Sequence, residues 1–380
     1  MVAERSIHLC LVSEDLTLNL TPLLNEATRP EHIVLLYASE QLNLLEGLMQ
    51  AVASLENIDA SVQLLTDVCD ADAVRKDVLH VLSAYKEKAV ALNASGGNRL
   101  TGLVATQVFQ SLNKPVFYVD ASTDQVIAVY PPDAQSHQLT QRIAVPQYLM
   151  AAGYEIQDRR EVGLTSSQRA FAQELLSNVR HYSGALAALN WLAASAGSGL
   201  QSKYIESWHM SSPAFIGLLD RLRDVGLAHV TRNCLVFPGE AQKFFVNGGW
   251  LQDYARQVVA ELQGRSPDIH GVEHSVLVGN EGGQQVEVDA MFLVNNRLHL
   301  IECRAKKLKK GNAKNGAEAI HRLDELMTLR EGLQAKSLLL SYRPLREVDL
   351  RRMQLMGIKV LQEKQLHNLR FYLEEWIAER

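Results

Sequence analysis

Cysteine is scarce and scattered. Cys10, Cys69, Cys234 and Cys303 form no CxxC pair, and none stands at ligand spacing from a histidine. A disulfide framework or a structural zinc site is therefore not expected, and a reducing, cytoplasmic setting fits. Long apolar runs are missing too. None approaches the ~20 residues that cross a bilayer, and the start, MVAERSIHLCLVSEDL, holds one strand-length apolar run rather than a signal-peptide core. No membrane partner is expected. Nor is there an excess of positive charge: 38 Lys and Arg against 43 Asp and Glu leave a formal net charge of −5. Any binding of nucleic acid must then rest on a local basic patch. Neither GxGxxG, GxxxxGK[ST] nor GxSxG occurs, so a dinucleotide cofactor, a P-loop nucleotide and a serine-hydrolase elbow lack support. No internal repeat or low-complexity tract is evident.

What is present is an ordinary globular composition, 47% hydrophobic and 21% charged over 380 residues, enough for two or three domains. Up to Pro131-Pro132, buried-strand runs (from Ile7, His32, Ser61, Ala89 and Pro115) alternate with helical spacing over Gln41–Leu55, Asp72–Lys86 and Arg99–Leu112. That order predicts a Rossmann-like, mainly parallel sheet covered on both faces, with VIAVYPP from Val126 as an added edge strand. Ligands of such sheets sit beyond the carboxyl ends of the strands. The middle predicts helices over Ser166–His181, Gly184–Ala196 and Ser212–Val225, stopped by Gly226, then a ribbon in LAHVTRNCLVF. Helices followed by a β-ribbon resemble a winged helix, here read as a spacer because the helix in the recognition position carries few basic residues. The last third predicts a second α/β domain: a helix over Leu251–Leu262, strands VLVGN, VEVDAMFLV and RLHLIECRA, a helix over Ala317–Leu329, the strand SLLLSY, and a helix to Trp376. The expected divisions are 1–145, 146–240 and 241–380. Histidines show no ligand spacing, and the four tryptophans are expected to fill cores.

Between the fourth strand and its helix lies Asn93-Ala94-Ser95-Gly96-Gly97-Asn98-Arg99. Paired glycines let a backbone turn sharply and approach a ligand, and the following helix start presents free amides to an anion. Ser95 and Asn98 add small polar groups and Arg99 a positive charge. A plain strand-to-helix turn with a capped helix would use the same residues. Together with LVSED at Leu11–Asp15, the segment LNASGGNRL resembles the CARF domain, the ring-nucleotide sensor of type III CRISPR ancillary effectors. That family commonly reads N-x-T-G-G-T-K here; this chain has Ser95, Asn98 and Arg99 at the departing positions. The resemblance implies a homodimer binding one cyclic tetra-adenylate across its twofold axis. Ser13, Glu14 and Asn93 through Arg99 are then the candidate ligand-binding residues.

VEVDAMFLV places Asp289 mid-strand with Glu287 on the same face, and LHLIECRA places Glu302 and Arg304 on one face of the next strand. D-x₁₂-E-x-[KR] by itself also suits an exposed charged hairpin. Carboxylates inside otherwise apolar strands, however, are costly without a cation. A pair of carboxylates can grip Mg²⁺ or Mn²⁺, which polarises a phosphate and activates water, while a nearby cation steadies the developing charge. Lys306, Lys307, Lys309, Lys310 and Lys314 follow as a solvated loop or a phosphate track. With GGWLQDY at Gly248–Tyr254 and LLLSYRPL at Leu338–Leu345, the segment resembles the PD-(D/E)xK nuclease half of CARF-fused effectors. The resemblance implies Asp289, Glu302 and the Cys303 carbonyl as metal ligands, and Arg304 or Lys306 in the place of the family's lysine. Gln252 stands where that family often has an acid, with Asp253 adjacent. The expected function is a cyclic oligoadenylate-activated nuclease cutting RNA, DNA or both. The alternative is a weakened or inactive relative that binds nucleic acid or a partner, because arginine is not a conservative stand-in for a catalytic lysine.

Overall fold

The computed structural model describes residues 6–160, 164–304, 329 and 333–379. Contacts group these into two units. One holds residues up to Gln157 with Val278–Gln285 and Leu293–Arg297; the other holds Asp158–Leu277, Val286–Phe292 and the residues from Leu298 onward. The middle segment expected at 146–240 thus groups mainly with the carboxy-terminal residues.

In the first unit a seven-stranded sheet has the order β3-β2-β1-β4-β5-β6-β7. Its strands are β1 (Ser6–Leu11), β2 (His32–Tyr37), β3 (Asp59–Leu64), β4 (Ala89–Asn93), β5 (Val116–Asp120), β6 (Gln125–Tyr130) and β7 (His137–Gln138). The pairs β3·β2, β2·β1, β1·β4 and β4·β5 are parallel, whereas β6 returns antiparallel on β5. Crossover helices Leu42–Ala53, Ala71–Ala84 and Arg99–Ser111 lie within a residue or two of the expected spans. β1 is buried at every position, as the central strand of a two-sided sheet must be. Its Leu9 and Leu11 share one core with Val34, Leu92, Val104 and Phe109. Reversal of strand order about β1 and β4 puts the loops after these two strands side by side at one sheet edge, the ligand position of such sheets.

The second unit opens with helices Ser166–Ser177 and Val179–Ser195. A small sheet follows, in the order β10-β11-β9, from β9 (Gln201–Tyr204), β10 (His229–Thr231) and β11 (Cys234–Val236), with the helix Pro213–Asp224 between β9 and β10. The ribbon is therefore three-stranded, with β9 added to the two strands expected in LAHVTRNCLVF. A six-stranded sheet ordered β16-β15-β14-β13-β12-β8, most of whose residues fall in this unit, comprises β8 (Tyr154–Arg159), β12 (Ile269–Asn280), β13 (Gln285–Val294), β14 (Arg297–Arg304), β15 (Lys336–Ser341) and β16 (Ile358–Gln362). β13 and β14 are joined by Asn295-Asn296, both at positive φ (48° and 62°), the backbone of a tight hairpin turn for which asparagine is suited. β14, β15 and β16 run parallel. Helices Trp250–Gln263, Glu347–Leu355 and Leu369–Ala378 complete the unit. Among the described residues no helix is long and apolar enough to cross a membrane.

Trp250 and Trp376 are buried, as expected. Trp208 is not: it is 67% exposed, and Trp191 is 39% exposed. Trp208 lies in the turn after β9 rather than on a helix, with its ring 3.6 Å from that of His209. The expected helix at 317–329, apart from Leu329, lies outside the described residues.

Candidate functional sites: the glycine turn and the buried acidic pair

After β4 the chain must turn within a residue or two of the end of β1. A Cβ on Gly96 would stand 2.0 Å from the Leu11 carbonyl oxygen, so only glycine allows this approach. Gly97 has φ +73°, a Cβ there would meet the Thr101 hydroxyl at 2.8 Å, and its N–H donates to the Val12 carbonyl at 3.2 Å. Asn93 is buried. Its amide donates to the Leu18 carbonyl at 2.8 Å, and its Oδ1 accepts from the Ser95 hydroxyl at 2.6 Å. The Ser95 oxygen in turn accepts from the Val119 N–H at 2.6 Å. Asn98 caps the next helix, accepting from the Thr101 N–H at 2.8 Å, and donates to the Val68 carbonyl at 3.0 Å. Asn93, Ser95 and Asn98 thus shape the turn, whereas Gly97, Asn98 and Arg99 present its exposed rim. Ala94 and Ser13 are half-buried and Glu14 is exposed. Gln41 was not anticipated: its Nε2 donates to the Val12 carbonyl at 2.8 Å and its Oε1 accepts from the Ala38 N–H at 2.9 Å, which pins the loop after β1. The Ala38 contact is a local helix-start cap, but the one with Val12 spans 29 residues of chain, so the sequence does not mark Gln41 as a partner of that loop.

On β13 and β14 the acidic pair is buried, with Asp289 only 3% and Glu302 only 6% exposed. Glu287, on the same face, is exposed, and Arg304 is half-buried. An exposed charged hairpin is thereby excluded for the pair. Asp289 accepts through both oxygens, from the Gln252 Nε2 at 2.6 Å and from the Cys303 backbone N–H at 2.6 Å. The helix Trp250–Gln263 positions Gln252, and the buried rings of Trp250 and Tyr342, 6.1 Å apart, anchor its first turn. Asp253 does not substitute for Gln252. One helical step turns it to another face, where it lines a groove with Arg256, Gln257 and His274. Burial pushes its carboxyl up to about 6, against the opposing pull of Arg256 and Arg160. Lys306 and the basic run lie outside the described residues.

These residues fit a divalent cation in donor chemistry. Two carboxylates and the Cys303 carbonyl form an oxygen set, the kind that hard cations such as Mg²⁺ or Mn²⁺ take. Among the described residues no cluster of three or more His, Cys, Asp or Glu is grouped to hold a metal ion. With two carboxylates and one carbonyl to hold it, such an ion would keep several waters, as Mg²⁺ commonly does.

A parallel-sheet unit with a glycine turn beyond its central strands, and an α/β unit with a buried acidic pair, form the arrangement a sensor–nuclease fusion requires. Residues 7–148 match the family described as the Card1 CARF domain, and residues 239–380 match that described as the Card1-like endonuclease domain. The chain thus joins a Card1-type CARF domain to a Card1-like endonuclease domain, and belongs with the CARF-fused nucleases. It is similar over 98% of its length, and 98% of the other chain, to protein VC1899 from Vibrio cholerae, at 26% identity and a TM-score of 0.84. Can2 from Sulfobacillus thermosulfidooxidans, solved with cyclic tetra-adenylate, shares the fold at 23% identity and a TM-score of 0.77, covering 99% of this chain and 100% of its own. A type III CRISPR defence DNA nuclease activated by cyclic oligoadenylate aligns at 16% identity and a TM-score of 0.50, over 90% of this chain and 46% of that one. No curated protein sequence matches.

Proposed function

We propose that the protein is a metal-dependent nuclease for single-stranded RNA, DNA or both, switched on by cyclic oligoadenylate, cyclic tetra-adenylate foremost. One observation carries the catalytic part: two carboxylates, Asp289 and Glu302, are buried in strands that are otherwise apolar. Such a pair is expensive to fold unless the site works with a cation. Asp289, Glu302 and the Cys303 carbonyl would hold Mg²⁺ or Mn²⁺, which supplies a polarised phosphate and an activated water. Asp289 is oriented by the Gln252 amide and the Cys303 N–H, so its oxygens have little freedom to swing. Arg304, or Lys306, supplies positive charge toward a scissile phosphate.

In the sensor region, proposed at 1–145, the turn from Asn93 to Arg99 and the loop carrying Ser13 and Glu14 would meet the ring across the twofold axis of a homodimer. A ring with its own twofold axis suits such a site. Residues 146–240 serve as a spacer and 241–380 as the nuclease. Labelled single-stranded RNA, single-stranded DNA and plasmid, incubated with Mn²⁺ and rings of four or six adenylates, test the assignment. Cleavage of one or more strands with the four-membered ring supports it, and inert strands under every ring contradict it.

A further inference from the structure

The turn Asn295-Asn296, which joins β13 to β14, groups with the first unit, whereas Asp289 and Glu302 on the same two strands group with the second. Asp289 stands six residues before Asn295, and Glu302 six residues after Asn296. At ~3.3 Å per residue, that is roughly 20 Å of extended chain on either strand. Slippage is not a soft motion of such a pair, because a shift of one residue turns every side chain to the opposite face. Where the turn is held therefore bears on both acids together.

The turn is held by buried polar groups. Asn296 is 3% and Asp124 5% exposed. The Asn296 side-chain amide donates to Asp124 Oδ1 at 2.6 Å and to the Ala121 carbonyl at 3.1 Å. Arg142 donates to the other oxygen, Oδ2, through Nε at 2.8 Å, with a second guanidinium nitrogen 2.7 Å away. The carboxylate is thus fixed on both sides, and hydrogen bonds to an ionised group are among the stronger ones. Backbone geometry alone does not call for this bond. At φ 62°, position 296 suits asparagine or glycine, and glycine would meet that need without an amide.

Asp124 is tied in turn to the candidate ring site. It ends the turn 121–124 that follows β5. β5 is bonded to the glycine turn: the Ala94 N–H donates to the Phe117 carbonyl at 2.9 Å, and the Val119 N–H donates to Ser95 Oγ at 2.6 Å. A second connection starts from the loop after β1. Burial raises the pKa of the Tyr148 hydroxyl, Asp15 of that loop raises it further, and Arg297, the first residue of β14, lowers it. Both charges therefore bear on one hydroxyl. Asp15, Asp124, Tyr148, Asn296 and Arg297 all belong to the first unit. Each of the two loops proposed to meet the ring is thus linked, through bonded or charged neighbours, to the turn of the hairpin that carries the acidic pair.

We propose that Asn296 is a positioning residue for cleavage: through its bond to Asp124, the ring-binding loops set where the β13–β14 hairpin holds Asp289 and Glu302, so that ring binding brings the pair into its working position. The inference rests on the ring-gated nuclease reading above, and its test keeps the two apart.

Hydrogen exchange is followed by mass spectrometry on the full-length protein without divalent cation, with and without cyclic tetra-adenylate. In the parent the ring should slow exchange several-fold, both in peptides covering 93–99 and in peptides covering the hairpin at 286–304. Asn296→Gly keeps the backbone at ease and deletes the amide; it should retain the response at 93–99 and lose that of the hairpin. Asn295→Gly, the same exchange one residue earlier, should behave as the parent. In cleavage with Mn²⁺, Asn296→Gly should reduce the ring's stimulation from about tenfold, within the usual range of coupling between two sites, to below threefold. The loss should fall on kcat, with KM for the strand little changed.

A hairpin that responds to the ring equally in Asn296→Gly and in the parent overturns the positioning role, as does a parent hairpin that stays silent while 93–99 responds. Equal ring-stimulated cutting by the two proteins also overturns it and leaves the nuclease intact. A hairpin response lost in Asn296→Gly, from a parent that cuts no strand, supports the coupling and removes the nuclease. No response at 93–99 in the parent removes the ring site, and the positioning role with it.

Discussion

Asp253→Asn should stabilise the protein at neutral pH, by an amount that depends on pH in a calculable way. The carboxyl is pushed up from 3.8 to about 6, chiefly by burial. A carboxyl raised in the folded state binds more protons folded than unfolded between those two values. Stability is therefore complete below about pH 3.8 and declines as pH rises to about 6. At 1.36 kcal/mol per pKa unit, the accumulated cost is roughly 1 kcal/mol at pH 4.5 and roughly 3 kcal/mol at pH 7.5. Asparagine keeps the shape but does not titrate, so the stability gap between variant and parent should widen by about 2 kcal/mol between these pH values. Urea unfolding followed by tryptophan fluorescence is the suitable assay. Trp191, Trp208, Trp250 and Trp376 all lie in the second unit, so the signal reports the unit that holds Asp253. A gap that stays constant or narrows as pH rises would refute the buried-carboxylate reasoning.

Asp289→Asn and Glu302→Gln should each abolish Mn²⁺ binding by isothermal titration together with any cleavage, since each discards a charged ligand while keeping its shape. Gln252→Glu should tighten Mn²⁺ binding, on the order of tenfold, by placing an anionic oxygen where an amide now meets Asp289; weaker binding would show that Gln252 serves only to orient that carboxylate. Gly97→Val puts a β-branched residue at φ +73° and against Thr101. It should abolish cyclic tetra-adenylate binding at a stability cost of about 1–3 kcal/mol, and unchanged calorimetric affinity would dismiss the turn as the ring site.

The parallel sheet was legible because its strands are apolar runs separated by helices of matching length. β1 and β4 are buried through nearly their whole length and announce themselves. β8 and β9 do not: YEIQDR and QSKY are mostly exposed, and they are strands only because a neighbouring edge accepts them. Asp289 and Glu302 stood out as charges inside apolar strands. Gln252 was visible only as a departure from a family pattern, because its bond to Asp289 spans 37 residues of chain. The groove was illegible for a related reason. Asp253, Arg256 and Gln257 share a helix face that any solvated helix could show, and only tertiary packing beside Arg169, Val272 and His274 makes it the wall of a groove.

Ring-gated cleavage is the central claim, and a single comparison tests it most directly. Labelled single-stranded RNA and DNA are incubated with the protein and Mn²⁺, with and without cyclic tetra-adenylate, alongside Glu302→Gln. The expected result is cutting by the parent that rises at least tenfold with the ring and is absent in the variant. Cleavage indifferent to the ring, or equal in Glu302→Gln, would contradict it.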